Sequence, residues 1–173
     1  MESLPGYLLT EAQNINAIKD DTLEVEIYMK QKTRDLLFEL TVKEGDPDRI
    51  SNITGTLSGI AGSFDLSSQR ICGEAMNTSF PFARTNNKIT AHTRLLGTTG
   101  LKQSLRIDLT FTDGSSQTIE NDLTDLLKNF NDDMPTPMYI TGDLLTPIEA
   151  DMTATIVGWE NGNEENGENI EIY

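Results

Sequence analysis

In 173 residues the chain has one cysteine, Cys72, one histidine, His92, and one tryptophan, Trp159. A lone cysteine excludes an intrachain disulfide framework, and no cysteine or histidine stands near it at metal-ligand spacing. The reading for Cys72 is therefore a buried structural thiol. Cations are scarce too: 13 Lys and Arg against 28 Asp and Glu give a formal net charge of -15. Holding phosphates needs clustered Lys and Arg, so the balance argues against nucleic acid and against electrostatic docking on an anionic membrane. No apolar run approaches the roughly 20 residues of a membrane helix. A basic segment followed by an apolar one is missing as well, so the sequence is expected to be that of a mature or trimmed chain.

What the chain has is alternation. Leu105, Ile107, Leu109 and Phe111 alternate with Arg106, Asp108 and Thr110. Asp113-Gly114 breaks the run, a polar run follows through Ile119, and Leu123, Leu126, Leu127 and Phe130 switch to helical spacing. That order predicts a hairpin feeding one short helix near residues 122–131. Leu23, Val25, Ile27 and Met29 have the same period of two, as do Leu36, Phe38, Leu40 and Val42 after a break at 30–34. Further strands are predicted over 53–60, 78–84, 88–96, 116–120, 138–144 and 153–159. Turn signals separate them at Gly45-Asp46-Pro47-Asp48, Gly62, Thr85-Asn86-Asn87, 97–100 and 134–137. Short strands without long intervening helices predict an all-β, antiparallel sandwich. Residues 1–18 are expected to be a linker or first strand, and 19–173 a single sandwich domain. Within it the Glu-, Asn- and Gly-rich stretch 160–169 reads as an acidic loop, and 170–173 resumes strand alternation.

Catalytic chemistry has little to work with. His92 lies in the strand-like Ile89-Thr90-Ala91-His92-Thr93, and no Gly-x-Ser-x-Gly elbow exists. A satisfied strand histidine is the favoured reading over a triad or a Cys72–His92 dyad. Asp46-Pro47-Asp48 and Asn131-Asp132-Asp133 lack calcium-loop spacing and sit at turns, where Asp caps backbone amides. No carboxylate pair stands out for glycoside hydrolysis, and Gly97-Thr98-Thr99-Gly100-Leu101-Lys102 has no phosphate-cradle spacing. Gly55-x-x-x-Gly59 reads as close backbone approach or bulges. Asn52-Ile53-Thr54 and Asn77-Thr78-Ser79 match a glycosylation pattern common by chance. Trp159 reads as a core anchor rather than a sugar platform. The expectation is a protein that is not an enzyme, with no catalytic or metal-binding residues and no cofactor.

Several segments occur in a telling order. Met29-Lys30-Gln31-Lys32-Thr33-Arg34-Asp35-Leu36-Leu37-Phe38 is followed by Ile53-Thr54-Gly55-Thr56-Leu57-Ser58-Gly59-Ile60-Ala61-Gly62. Leu105 to Phe111 with Asp113-Gly114 comes next, then Ile156-Val157-Gly158-Trp159 before an acidic tail ending in Ile170-Glu171-Ile172. No single motif is specific, but the ordered series, over residues 20–173, resembles the C-terminal domain of the FimB/Mfa2-type fimbrial anchor and accessory subunits of Bacteroidales. The resemblance implies a transthyretin-like β-sandwich, export as a lipoprotein and display at the outer membrane. It also implies a non-enzymatic structural or adhesion role with other fimbrial subunits as partners, and a host protein or glycan as a further candidate. Full-length members resemble two-domain proteins whose first sandwich follows a lipidated cysteine. Cys72 lies mid-chain and does not fit that role, so a domain cut from a longer protein, or a shorter relative, is expected.

Assembly in this family is associated with strand donation, in which an extended segment completes a neighbour's sheet. The side chains expected to insert are Leu8, Leu9, Ile15, Ile18, Ile170 and Ile172. The alternative is that both ends pair within their own sandwich. A rival function is a secreted carbohydrate-binding or adhesin module engaging glycans through surface loops, using Tyr7, Tyr28, Tyr139, Tyr173 or Trp159. A small hydrolase comes third and requires His92 or an acidic pair in a concave pocket.

Overall fold

The computed structural model describes residues 4–16, 19, 22–147 and 153–162. Its strands are β1 (Leu9–Thr10), β2 (Lys30–Gln31), β3 (Arg34–Glu44), β4 (Ile50–Asp65), β5 (Arg70–Pro81) and β6 (Ala83–Thr85). They continue with β7 (Lys88–Leu95), β8 (Ser104–Phe111), β9 (Ser116–Asp122), β10 (Met138–Leu145) and β11 (Thr155–Gly162); a 3-10 turn (Pro47–Arg49) links β3 to β4, and a turn of α-helix, α1 (Thr124–Leu127), precedes β10. One sheet has the order β11-β10-β3-β7-β6 and the other β5-β4-β8-β9, while β1 and β2 form a separate two-stranded ribbon. Pairing is antiparallel, as the alternation implies, except that β10 runs parallel to β3, with Leu36 beside Met138 and Val42 beside Leu144. A parallel neighbour needs a crossover rather than a hairpin. The chain supplies one by leaving β9 at the second sheet's edge and passing through α1 and residues 128–137.

The two sheets close on a shared apolar interior, the sandwich that period-two alternation calls for. Leu36, Phe38 and Leu40 of β3 join Ile53 and Leu57 of β4 and Leu105, Ile107 and Leu109 of β8 in one buried cluster. Phe38 stacks on Phe80 with ring centroids 5.6 Å apart, and Phe82 tilts against both. Burying each ring contributes about 2 kcal/mol or more. Gly55 is required beside them: a Cβ there would stand 2.7 Å from Phe82 and 2.8 Å from Phe80. Gly59 has φ +72° at a register shift between Leu57 and Ile60. Both glycines thus occupy the close approach and the bulge expected of them.

The helical spacing after β9 buries the residues it should: Leu123, Leu127 and Phe130 are fully enclosed. Regular helix covers only Thr124–Leu127, and turns carry the chain onward. Asp122, one residue before the N-cap Leu123, accepts hydrogen bonds from the Thr124 amide (3.0 Å) and hydroxyl (2.5 Å) and so tightens the entry into the turn. Trp159 packs against the core cluster, in keeping with an anchoring role.

Three expectations fail. Residues 22–29 form no strand, and Leu23, Val25, Ile27 and Met29 are exposed. The expected turn at Gly62 is absent because β4 runs on to Asp65 and returns as β5 from Arg70, with Ser63 opposite Cys72. Cys72 is consequently exposed rather than buried. Backbone ladders hold this β4–β5 arm without an apolar alternation, so its sequence (Ser63 to Ala75) carries no strand signal. Asp65 fastens the arm's tip. The Ser68 and Ser67 hydroxyls and the Ser67 amide donate to it and hold its carboxyl down at about 2.

Candidate partner-binding surface

The surface of interest begins where β3 begins. Asp35 alternates with the inward Leu36 and therefore points to the outer face of the first sheet, yet it is only 7% exposed. A buried carboxylate needs donors. Arg94 Nε supplies one at 2.8 Å, the Tyr7 hydroxyl another at 2.6 Å, and His92 Nε2 lies 3.0 Å away. β7 brings Arg94 directly opposite Asp35 and sets His92 two residues along, on the same face. Burial pushes the Asp35 carboxyl up, but the hydrogen bonds from Arg94, Tyr7 and His92 outweigh it and hold it below the usual carboxylate range. The same bond to Asp35 pushes the Tyr7 hydroxyl up.

This cluster fastens the N-terminal strap, residues 4–16, across the sheet. The Arg94 guanidinium lies 3.6 Å from the centroid of the Tyr7 ring and donates to the Pro5 carbonyl at 2.6 Å. Beyond it, the Leu8 amide donates to Thr33 Oγ1 and the Leu8 carbonyl accepts from the Lys32 amide. Leu9 and Thr10 then pair with Gln31 and Lys30, and Lys30 reaches Glu11 at 2.9 Å. His92 is thereby a satisfied strand histidine: it faces Asp35, and no serine or cysteine hydrogen-bonds to it among the described residues. No group of three or more His, Cys, Asp or Glu among the described residues is placed to hold a metal ion.

Arg34, next to Asp35, is buried on the opposite face. It donates to the carbonyls of Thr136 (2.5 Å), Phe130 (2.8 Å) and Asn129 (3.1 Å), and its guanidinium sits over the Phe130 ring. Three carbonyl acceptors and a ring face satisfy the charge without a carboxylate in contact. The result is a fixed loop at 129–136 beside the ribbon of β1 and β2.

Between that ribbon, the loop and the tip of the β4–β5 arm lies a groove of about 740 Å³. Met29, Phe64, Ile71, Met134 and Pro135 give it apolar walls. Lys32 and Arg70 stand on its rim, with the Lys32 ammonium 5.5 Å from the Phe64 ring centroid. Just upstream, residues 22–29 hold Leu23 57% and Tyr28 71% exposed.

Of the side chains expected to insert into a partner, Leu8 is half-buried and engaged with its own chain through Thr33 and Lys32. Leu9, in β1, and Ile15 have about half their surface exposed. Ile18, Ile170 and Ile172 lie outside the described residues. The sequence reading missed the Asp35 cluster and the groove. Its one available signal was Arg34-Asp35 opening an apolar strand, since a charged pair there has to find distant partners. The partners at Tyr7, His92, Arg94 and Thr136 are set by topology and leave no local mark.

No curated protein sequence matches this chain. Solved structures do. A Bacteroides ovatus protein described as a candidate adhesin superposes with a TM-score of 0.58 at 13% identity, over 82% of this chain and 54% of that one. The fimbrial anchor protein Mfa2 from Porphyromonas gingivalis gives 0.52 at 14% identity, over 77% of this chain and 47% of its own. A Bacteroides fragilis protein described as a candidate cell-adhesion protein gives 0.51 at 18%, over 82% and 48%. At these identities the likeness is one of fold, and the chain spans about half the length of each structure. A family model described as the fimbrillin-A associated anchor proteins Mfa1 and Mfa2 matches residues 5–165. With nearly its whole length matched, the chain belongs to the family of fimbrillin-A associated anchor proteins.

Proposed function

We propose that this chain is a non-enzymatic structural or adhesion subunit of a bacterial surface fimbria that joins its partner subunits by β-strand pairing at a sheet edge. Membership of a fimbrial-anchor family supports a surface-associated role and fimbrial subunits as partners. Outer-membrane display belongs to the same proposal. The observation that carries the pairing mode is the segment Leu23-Glu24-Val25-Glu26-Ile27-Tyr28-Met29. It has the alternation of a strand, its apolar side chains are exposed, and the sandwich core closes without it. A strand-competent segment with no mate among the described residues is what a neighbouring sheet edge recognises. On the receiving side β11 and β6 are the outer strands of one sheet and β5 and β9 those of the other. Leu8, Leu9, Ile15, Ile18, Ile170 and Ile172 remain the candidate inserting side chains at the two ends.

Amide hydrogen exchange with and without a fimbrial partner subunit tests this. Pairing predicts new protection along residues 22–29 or along one outer strand, in alternate amides. A complex that protects neither would overturn it. The glycan-binding reading calls for two or more exposed aromatics in one cleft; the groove carries one ring, Phe64, Trp159 packs on the core, and the exposed Tyr7 and Tyr28 stand outside the groove lining.

A further inference from the structure

The groove beside the ribbon has an unusual charge for this protein. Eight of the 13 Lys and Arg residues make an ion pair with a carboxylate. Lys32 and Arg70 make none among the described residues, and both line this groove. Asp65, opposite Arg70 in register, gives its carboxylate to Ser67 and Ser68 instead. Lys30 also lines the groove but is held by Glu11, and Asp132 is the single acid among the lining residues. A chain with a net charge of -15 thus keeps two cations outside any direct ion pair among the described residues at the rim of one apolar channel, Glu11 being bound to Lys30 and acting on Lys32 only from a distance.

The walls match that rim. Met29 and Met134 are unbranched and adaptable, Phe64 offers a ring face, and Pro135 presents no amide. Around 740 Å³ holds a few side chains of an extended peptide rather than a folded partner. We infer that this groove receives an extended segment of another subunit in which apolar residues alternate with Glu or Asp. Its apolar side chains fill the channel between Phe64 and Met134 while its carboxylates meet Lys32 and Arg70. Charge complementarity selects that occupant over a basic or purely apolar strand, which would leave both cations unpaired. The inference rests on the strand-pairing reading above and adds to it the chemistry of the incoming strand and where it seats.

The probe is a synthetic peptide of residues 22–29, whose alternating Leu23, Glu24, Val25, Glu26 and Ile27 have the required chemistry. Its control carries Lys in place of both glutamates. Calorimetry or fluorescence polarisation on the full chain should show binding of the acidic peptide and none of the basic one. Lys32→Glu/Arg70→Glu should weaken the acidic peptide at least tenfold and reverse the preference; the milder Lys32→Gln/Arg70→Gln should weaken it less. Circular dichroism should be unchanged in both variants, because neither side chain carries core packing.

Absence of binding by the acidic peptide would overturn the inference. So would equal binding of both peptides, which would mean apolar adhesion alone, or binding indifferent to the rim variants. None of these results would alter exchange protection along 22–29 or the outer strands, so strand pairing and groove occupancy fail separately.

Discussion

Two stretches of this chain carry the same pattern and meet opposite fates. Leu36, Phe38, Leu40 and Val42 alternate through β3 and are buried between two sheets, flanked by β10 on one side and β7 on the other. Leu23, Val25, Ile27 and Met29 alternate as cleanly, and all are exposed with no partner strand among the described residues. Alternation licenses a strand by placing apolar side chains on one face. Two mates and a covering sheet have to be available before that face is worth burying. β3 has both, whereas residues 22–29 arrive at a sandwich already closed.

The contrast is sharpest at Phe38. Phe38→Ala should cost about 3–5 kcal/mol, because it removes one of three packed rings. Urea unfolding measures it, and a loss under about 1 kcal/mol would mean that the two stretches differ less than their burial implies.

Asp35→Ala comes next, at about 3 kcal/mol, since it strands Arg94 and the Tyr7 hydroxyl without their acceptor. The pH dependence has a definite sign. A carboxyl held below its unfolded value stabilises the fold above that unfolded value, about 3.9, and loses its contribution as pH falls through the depressed folded value. The strap should therefore stay docked from neutrality to about pH 4 and loosen below it, as followed by Tyr7 resonances. Asp35→Asn should flatten that acid transition.

Gly55→Ala, which pushes a methyl into Phe80 and Phe82, should cost about 1–3 kcal/mol. The smallest effect belongs to the exposed stretch. Val25→Pro and Ile27→Pro should shift stability by no more than about 0.5 kcal/mol, since neither residue is in a strand. Both should nevertheless impair assembly with a partner, because proline removes the amide that a pairing strand needs. A large loss of stability would show that the segment is already paired.

Much of the architecture was legible. Alternation at Leu105 to Phe111 and at Leu36 to Val42 marks real strands, and Leu123, Leu127 and Phe130 are buried as their helical spacing requires. Gly55 and Gly59 do what glycines inside a strand run suggest. The β4–β5 arm was not legible, because its strands hold by backbone pairing and have little apolar contrast. The Asp35 cluster was half legible: a charge opening a buried strand demands partners, but Arg94 and Tyr7 lie 59 and 28 residues away.

By itself the sequence determined the fold class, the inward faces of the strands, the acidic surface and the resemblance to fimbrial subunits. Each of these depends on short-range spacing or on composition, and both are local properties. Only the tertiary structure decided that one alternating segment is core and its twin exposed, and that β3 and β10 run parallel. It also decided that Lys32, Arg70 and Phe64 share one groove. These depend on which strands find mates, a long-range competition that no window of residues contains.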